Sequence, residues 1–229
     1  MGSRHTALAL WILLPLSLAA VAVNGREAVR CPGAPVVLSG ASAAEVDVVC
    51  DAARVAAEFL LQAGASVPSE LPIDVVPALP EGVPRDAAGC YATDSGRVML
   101  LPLELFERRR AWLGVAADRA LYRSVATHEV AHAIARCQKR SRPPSKLAHE
   151  YLANVVMYAT MEPAQRERLL AAHPGTGYEH ERQIGILDYV FDPALFGANA
   201  YRHWSTQPDR IGLLRRVLDG TAIVEMESD

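Results

Sequence analysis

The sequence has no long polar linker, no internal repeat and no low-complexity tract that would divide it into separate parts. We therefore expect one domain with a substantial core. The chain also lacks an excess of positive charge, because 23 Lys and Arg residues stand against 26 Asp and Glu residues, a net charge of −3. Charges of both signs are mixed along the chain. This argues against nucleic-acid binding, which requires a basic surface.

Cysteine is scarce, and no two of the four Cys residues have the short spacing typical of metal ligands. An even number of Cys residues in an exported chain predicts two disulfides, for which three pairings are possible. We favour Cys31–Cys50, which would tie an N-terminal strand to the helix after it. The second pair would be Cys90–Cys137, which would tie a strand to the end of a later helix.

The only long apolar run lies at the N-terminus and is short for a membrane span. It extends from Ala7 to Val23, about 17 residues, and follows the positively charged Arg4. Small residues near its end fit a signal peptide that is cut after Ala22. We therefore expect residues 1–22 to be a signal peptide and residues 23–229 to form one secreted or periplasmic domain without a stable membrane span. The alternative is an uncleaved membrane anchor.

One short pattern stands out, Thr127-His128-Glu129-Val130-Ala131-His132, which contains H-E-x-x-H. No Pro or Gly occurs from Asp118 to Lys139, and good helix formers are frequent there, so this segment is predicted to be a buried helix. Two His residues four positions apart lie on one helix face, about 6 Å apart, and can bind one ion. Glu129 could then reach a metal-bound water without binding the metal itself.

A second acidic residue strengthens the prediction of a metal site. Glu150 is the only acid in the apolar helical segment Leu147–Met161. A carboxylate in such surroundings needs a cation or hydrogen-bond donors. Two neighbouring helices could bring Glu150 to His128 and His132. Two His and one Glu, with water at the fourth position, form a known catalytic Zn²⁺ site.

These residues resemble the zincin metallopeptidases, in particular the gluzincin type, over about residues 118–161. In that group a Glu ligand from a second helix follows the H-E-x-x-H helix. The spacing to Glu150 is slightly shorter than in the best-known gluzincins, and Asn154 stands where related enzymes carry an acid that braces a zinc-bound His. Ala135 and Gln138 exclude the longer pattern H-E-x-x-H-x-x-G-x-x-H. The chain also resembles a family of uncharacterised secreted bacterial proteins with this core, which implies no substrate.

The predicted fold class is α+β and mostly helical. A small N-terminal sheet and a hairpin would pack on the H-E-x-x-H helix of a zincin-like core, and the C-terminal half would be helical. The predicted elements are strands at 35–38 and 71–76, a hairpin at 89–93 and 97–101, and helices at 42–62, 102–112, 163–172, 192–204 and 208–218. By the zincin resemblance, Arg97–Leu101 could be an edge strand that binds an extended substrate; the alternative is a structural hairpin.

Candidates for further site residues lie in the C-terminal half. A zinc peptidase needs a donor for the developing oxyanion, and Tyr178, Tyr201 and His203 are the candidates. The alternative is that they are ordinary buried residues with hydrogen-bond partners. In the polar loop 173–185, Glu179 or His180 is the alternative third metal ligand.

Together these features predict a secreted zinc-dependent metallohydrolase, with a peptide or protein as substrate. His128, His132 and Glu150 would bind Zn²⁺, and Glu129 would be the general base. One alternative is a hydrolase of another amide or ester. The other is a non-catalytic secreted or envelope binding module with a structural zinc or a metal-free His/Glu cluster.

Overall fold

The computed structural model describes residues 28–138 and 144–224. The predicted signal peptide and its cleavage site lie outside these ranges, as does part of the turn between the two helices that are predicted to bind a metal. Within the described ranges the protein is α+β and mostly helical, with a small sheet in its N-terminal half and a helical C-terminal half. This fold class is the one that the sequence predicts.

The secondary structure begins with the sheet and ends with helices. The described strands are β1 (Val29–Arg30), β2 (Val36–Ser39), β3 (Leu71–Val75), β4 (Gly89–Ala92), β5 (Arg97–Leu100), β6 (Ala111–Trp112) and β7 (Val115–Ala116). The described helices are α1 (Ala43–Gln62), α2 (Leu103–Glu107), α3 (Arg119–Arg136), α4 (Lys146–Ala159), α5 (Pro163–Ala172), α6 (Ile186–Phe191), α7 (Pro193–Thr206) and α8 (Arg210–Leu218). A 3₁₀ turn at Glu181–Gln183 precedes α6.

The main sheet has the strand order β1-β2-β3-β5-β4. Strands β2, β3 and β5 are parallel, and α1 supplies the crossover between β2 and β3 that a parallel pair requires. Strand β4 pairs with β5 in the predicted hairpin and forms one edge of the sheet. The expectation that Arg97–Leu101 is the edge strand is wrong, because β5 is hydrogen-bonded on both sides and β4 has the free edge.

Helix α1 is fixed to the rest of the domain by its first turn. The Ser42 hydroxyl accepts from the Glu45 backbone N–H, and the Glu45 carboxylate accepts from the Ser42 N–H, which forms a capping box. The second oxygen of Glu45 accepts from the backbone N–H of Leu103 at 2.7 Å. A buried carboxylate thus satisfies donors of two helices and holds α2 at the start of α1.

Helices α3 and α4 form the centre of the domain. Asp118 and Ser145 cap their N-termini by accepting from backbone N–H groups of the first turn. Helix α3 packs between α1 and α4, and α4 packs against α7. Arg123, near the start of α3, donates to the carbonyl oxygen of Thr160 at the end of α4. The two central helices are therefore antiparallel.

Two local predictions need correction. The helix predicted at 102–112 ends at Glu107, because Arg110 and Leu113 adopt positive φ angles and the chain turns into the small β6–β7 hairpin. Trp112 is thereby placed over Phe106, with ring centroids 5.9 Å apart. Helix α6 has no counterpart among the predicted elements, although it is a six-residue apolar-rich segment between Gly185 and Pro193.

Of the two predicted disulfides, one is confirmed and one is wrong. Cys31 and Cys50 are bonded and link the N-terminal strands to α1. Cys90 and Cys137 are free thiols. Successive side chains of a strand point to opposite faces, so Cys90 and Tyr91 point away from each other on β4. Cys90 lies near Glu129, and Tyr91 lies near Cys137.

None of the helices in the described ranges combines the length and the apolar character that crossing a membrane requires.

Candidate metal centre

Three side chains converge at the contact between α3 and α4. His128 and His132 lie one turn apart on α3, and Glu150 lies in the second turn of α4. The two His Nε2 atoms are 3.0 Å apart. The Glu150 Oε2 atom is 3.8 Å from the Nε2 atom of His128 and 3.6 Å from that of His132. Within the described ranges this is the only group of three or more potential ligands of this kind.

The spacing of these three donor atoms fits a single small cation. The three atoms lie on a circle with a radius of about 2.0 Å, so an ion bonded to all three at the usual Zn²⁺ distance would lie close to their plane. The donor set predicted from the sequence is therefore brought together at distances that suit a metal.

Burial and charge interactions favour different protonation states at the three side chains of the cluster. Burial and the adjacent His132 lower the pKa of His128 to about 3, so its imidazole is neutral at pH 7. Burial opposes a charge on His132, but the Glu150 carboxylate outweighs burial and raises the pKa of that ring. Burial also opposes the charge on Glu150, yet the two His rings lower its pKa to about 2. The cluster thus contains a carboxylate and at least one neutral imidazole.

His128 differs from a typical metal-binding His in the hydrogen bonding of its second ring nitrogen. The Nδ1 atom of His128 is buried and has no hydrogen-bond partner in the described parts of the chain, although zinc-binding His residues usually donate from their second ring nitrogen. Asn154 donates to the carbonyl oxygen of Glu150 and lies directly against Gly197. It therefore fixes the backbone of α4 at the third donor, and a side chain on residue 197 would overlap it.

Glu129 lies beside the three donors and is buried. Burial raises its pKa to about 7, and the Glu150 carboxylate adds to this effect, whereas His132 and the backbone N–H of Tyr91 partly oppose it. Gly89 on β4 allows this approach, because a Cβ atom there would lie 3.0 Å from the Glu129 Cγ atom. A carboxyl group that titrates near neutral pH is suited to accept and return a proton.

The four side chains open into a cleft of about 630 Å³. Edge strand β4 and the segment before it form one wall. Helices α3 and α4 form the floor, and Trp112, Tyr189 and Pro193 stand at the rim. The cluster is thus accessible to a small molecule or an extended chain.

The structure places the three predicted oxyanion donors away from this cleft. His203 is buried on α7, where its Nδ1 atom lies 2.7 Å from the Tyr151 hydroxyl oxygen. Tyr201 stacks on Tyr158 with ring centroids 5.6 Å apart, and Tyr178 packs against Phe196 and His203. None of these three residues lines the cleft, although Pro193 at the start of α7 does. Their placement favours the alternative of ordinary buried residues.

Glu179 and His180, the alternative third ligands, are also separate from the donor cluster. Both are exposed, and their backbone N–H groups donate to the Gln183 side chain. The loop around residues 173–185 is irregular, as the sequence predicts, but it does not contribute a donor to the cluster.

Tyr189 is the site residue that sequence reasoning missed. It lines the cleft from α6, and its hydroxyl interacts with the Glu150 carboxylate, which together with burial raises the pKa of this phenol. The Lys146 ammonium lies 5.7 Å from the centroid of its ring. The apolar segment between Gly185 and Pro193 could have indicated a short helix. Its approach to Glu150 depends on how α6 folds back over α4.

The fold and site define an α+β protein with a three-donor candidate metal centre in an open cleft. Comparison with protein families shows that the chain belongs to a family of unknown function, DUF6639, whose model matches residues 36–227. The comparisons with curated proteins and with solved structures found no match.

Proposed function

We propose that this protein is a zinc-dependent hydrolase that cleaves peptide bonds in the manner of zincin metallopeptidases. One observation carries the proposal: the donor atoms of His128, His132 and Glu150 are close enough together for one zinc ion to bridge them, with the carboxyl group of Glu129 beside them in an open cleft. In the described ranges no fourth protein donor joins the cluster, and a catalytic zinc site keeps one position for water or substrate.

The donor types support zinc as the metal. Two imidazole nitrogens and one carboxylate oxygen are typical of catalytic zinc, whereas calcium and magnesium prefer oxygen ligands alone. A zinc ion held here would lower the pKa of a water molecule towards 7 and polarise a substrate carbonyl.

The residues of the chain supply the remaining chemistry. Glu129 would accept the proton of the attacking water and return it to the leaving amine. The backbone N–H of Tyr91 orients this carboxylate, and Tyr189 orients the carboxylate of Glu150. Tyr189 also replaces Tyr178, Tyr201 and His203 as the hydroxyl group nearest to the reaction.

A peptide is the substrate class that best suits the shape of the cleft. Strand β4 forms one wall and has a free edge, so an extended peptide could pair with its backbone. The apolar lining offers space for side chains. A small ester or amide would use the same zinc chemistry but would gain nothing from the strand edge.

Export remains part of this proposal. The Cys31–Cys50 disulfide fits an oxidising compartment, because disulfides are rare in reducing ones. Together with the predicted signal peptide, it supports a secreted or periplasmic hydrolase. N-terminal sequencing of the mature protein would test this, and a start near residue 23 is expected.

A non-catalytic role is the second candidate, and one observation favours it. The interactions among Glu150, His132 and Tyr189 satisfy these buried groups without any ion. Such a cluster could be a structural feature of a binding module. Metal titration separates the two candidates.

The test uses purified protein treated with a chelator and then titrated with Zn²⁺ by calorimetry. We expect one zinc per chain for the wild type and for His180→Ala, and loss of stoichiometric binding for His132→Ala and Glu150→Gln. Zinc-loaded wild type should cleave a fluorogenic peptide library, and the two ligand variants should not. A wild type that binds no zinc, or a His132→Ala variant that binds it normally, would remove the proposal.

A further inference from the structure

Two cations stand together at one end of the cleft. Arg136 lies four residues after His132 on α3, and Lys146 lies four residues before Glu150 on α4. Both line the cleft and both are exposed. Four residues of a helix advance about 6 Å along its axis, so each cation lies one turn beyond a candidate metal ligand.

The antiparallel pairing of the helices places the two cations at the same level. The contact of Arg123 with Thr160 fixes the register at the far end of the pair. The approach of His132 to Glu150 fixes it at the cluster. The same register, continued by one turn, sets Arg136 opposite Lys146.

Among the residues that the structure describes, no acidic side chain pairs with either cation. No ion pair within the described ranges involves Arg136 or Lys146, and the sequence from 137 to 145 contains no acid. Lys146 lies over the face of the Tyr189 ring, which leaves its ammonium free to bind an anion. The acids that line the cleft are Glu129 and Glu150 at the cluster and Asp86 in the wall before β4.

His149 adds an unused hydrogen-bonding atom near this end. It lines the cleft next to Glu150, and its ring centroid is 6.3 Å from that of His132. Its Nε2 atom is buried and has no partner among the residues that the structure describes. Buried polar atoms are normally paired, so this atom is available to a bound molecule.

The opposite end of the cleft is apolar. Val125 lies about one turn before His128 on α3, and Met157 lies two turns after Glu150 on α4, at a matching level. Trp112 and Leu113 also line the cleft and are apolar. The cleft therefore has an apolar end, the metal cluster in the middle and a cationic end.

We propose that the cleft selects substrates that carry a carboxylate within about two residues of the cleaved bond, bound by Arg136 and Lys146. This inference rests on the proposed peptidase function and names its substrate class. An extended peptide advances about 3.3 Å per residue, so two residues cover the 6 Å between the cluster and the cations. The carboxylate could be a free C-terminus or an Asp or Glu side chain, since both offer the same anionic group.

Binding to a non-hydrolysing variant tests this inference separately from catalysis. The probes are fluorescent hexapeptides with a central Phe-Leu pair, measured by anisotropy on zinc-loaded Glu129→Gln protein. One pair of peptides compares a free C-terminus with an amide. The other pairs compare Glu with Gln, placed one or two residues to either side of the centre.

We expect at least one carboxylate peptide to bind about fivefold more tightly than its neutral partner, which is typical of one or two partly exposed ion pairs. This preference should disappear in Arg136→Gln/Lys146→Gln and persist in Arg168→Gln, a control on the exposed face of α5. It should also weaken between 0.05 and about 0.5 M salt. A preference for the free C-terminus would indicate an exopeptidase, and one for Glu would indicate cleavage within chains.

Equal binding of every matched pair, or a preference that survives the double variant, would overturn the inference. Circular dichroism and zinc titration of the double variant check that fold and metal site are intact. If carboxylate-dependent binding occurs but the wild type hydrolyses no peptide, only the proposed function fails. If peptides are cleaved without any carboxylate preference, only this inference fails.

Discussion

Replacement of Glu129 by Gln is the most informative single change, because it separates metal binding from catalysis. Glutamine has nearly the same shape, and its side-chain oxygen can still accept from the Tyr91 backbone N–H. The three donor atoms are untouched, so zinc should still bind with one ion per chain. Gln cannot accept a proton from water, and we expect the rate of peptide hydrolysis to fall by about 10²- to 10⁴-fold.

The same change should alter the stability of the metal-free protein in a pH-dependent way. Burial raises the pKa of Glu129 from 4.5 to about 7 in the folded protein. The folded state therefore holds a proton that the unfolded chain has lost, and folding becomes less favourable as pH rises from about 4.5 to 7. A shift of this size corresponds to about 3 kcal/mol. Glu129→Gln removes this cost, so the variant should be more stable than the wild type by up to about 3 kcal/mol at pH 8.

Urea unfolding in the presence of a chelator measures this difference at pH 5 and pH 8. The gain of Glu129→Gln should be large at pH 8 and small at pH 5, whereas Glu107→Gln, an exposed control on α2, should match the wild type at both. A gain that does not change with pH would refute the burial argument. If Glu129→Gln hydrolyses peptides at the wild-type rate, Glu129 is not the general base. If the variant no longer binds zinc, Glu129 is itself a metal ligand.

Three further predictions concern the disulfide, the helix contact and the rim of the cleft. Cys31→Ala/Cys50→Ala should lower the free energy of unfolding by about 3 kcal/mol, because the bond spans 19 positions; an unchanged urea midpoint would contradict this. Gly197→Ala should lower the melting temperature by several degrees, because a Cβ atom overlaps the Asn154 side chain; an unchanged melting temperature would show that α7 shifts freely. Tyr189→Phe should weaken zinc binding about tenfold in competition with a chelator, and unaltered affinity would remove its role in orienting the third ligand.

The helices of the site were predictable because their signals are local. The two His residues and Glu129 share one short segment, and the helix period alone sets their mutual positions. The absence of Pro and Gly from 118 to 139 predicted the first helix, and the apolar character around Glu150 predicted the second. The hairpin and α1 were predictable from turn residues and a capping box in the same way.

The failures concern contacts between distant segments. The Cys90–Cys137 pairing failed because the two thiols face different neighbours across β4 and α3. The prediction that β5 is the edge strand failed because strand order depends on which strands pair with β3. Strand β3 pairs with β5, and this leaves β4 at the edge of the sheet. Tyr201 and His203 lie on α7, whose first residue lines the cleft, but nothing in the sequence shows that these two side chains contact Tyr158 and Tyr151 instead.

The sequence by itself determined the identity of the donors, because a helix fixes residues four positions apart on one face, whatever surrounds it. It also determined that Glu150 needs a partner, since a carboxylate in an apolar helix is costly to bury. Only the tertiary structure decided that the partner is the His pair, that Tyr189 contacts Glu150, and that Arg136 and Lys146 line the same cleft. These contacts depend on how α3, α4 and α6 are packed, and packing is set by the shape of the whole core rather than by any one segment.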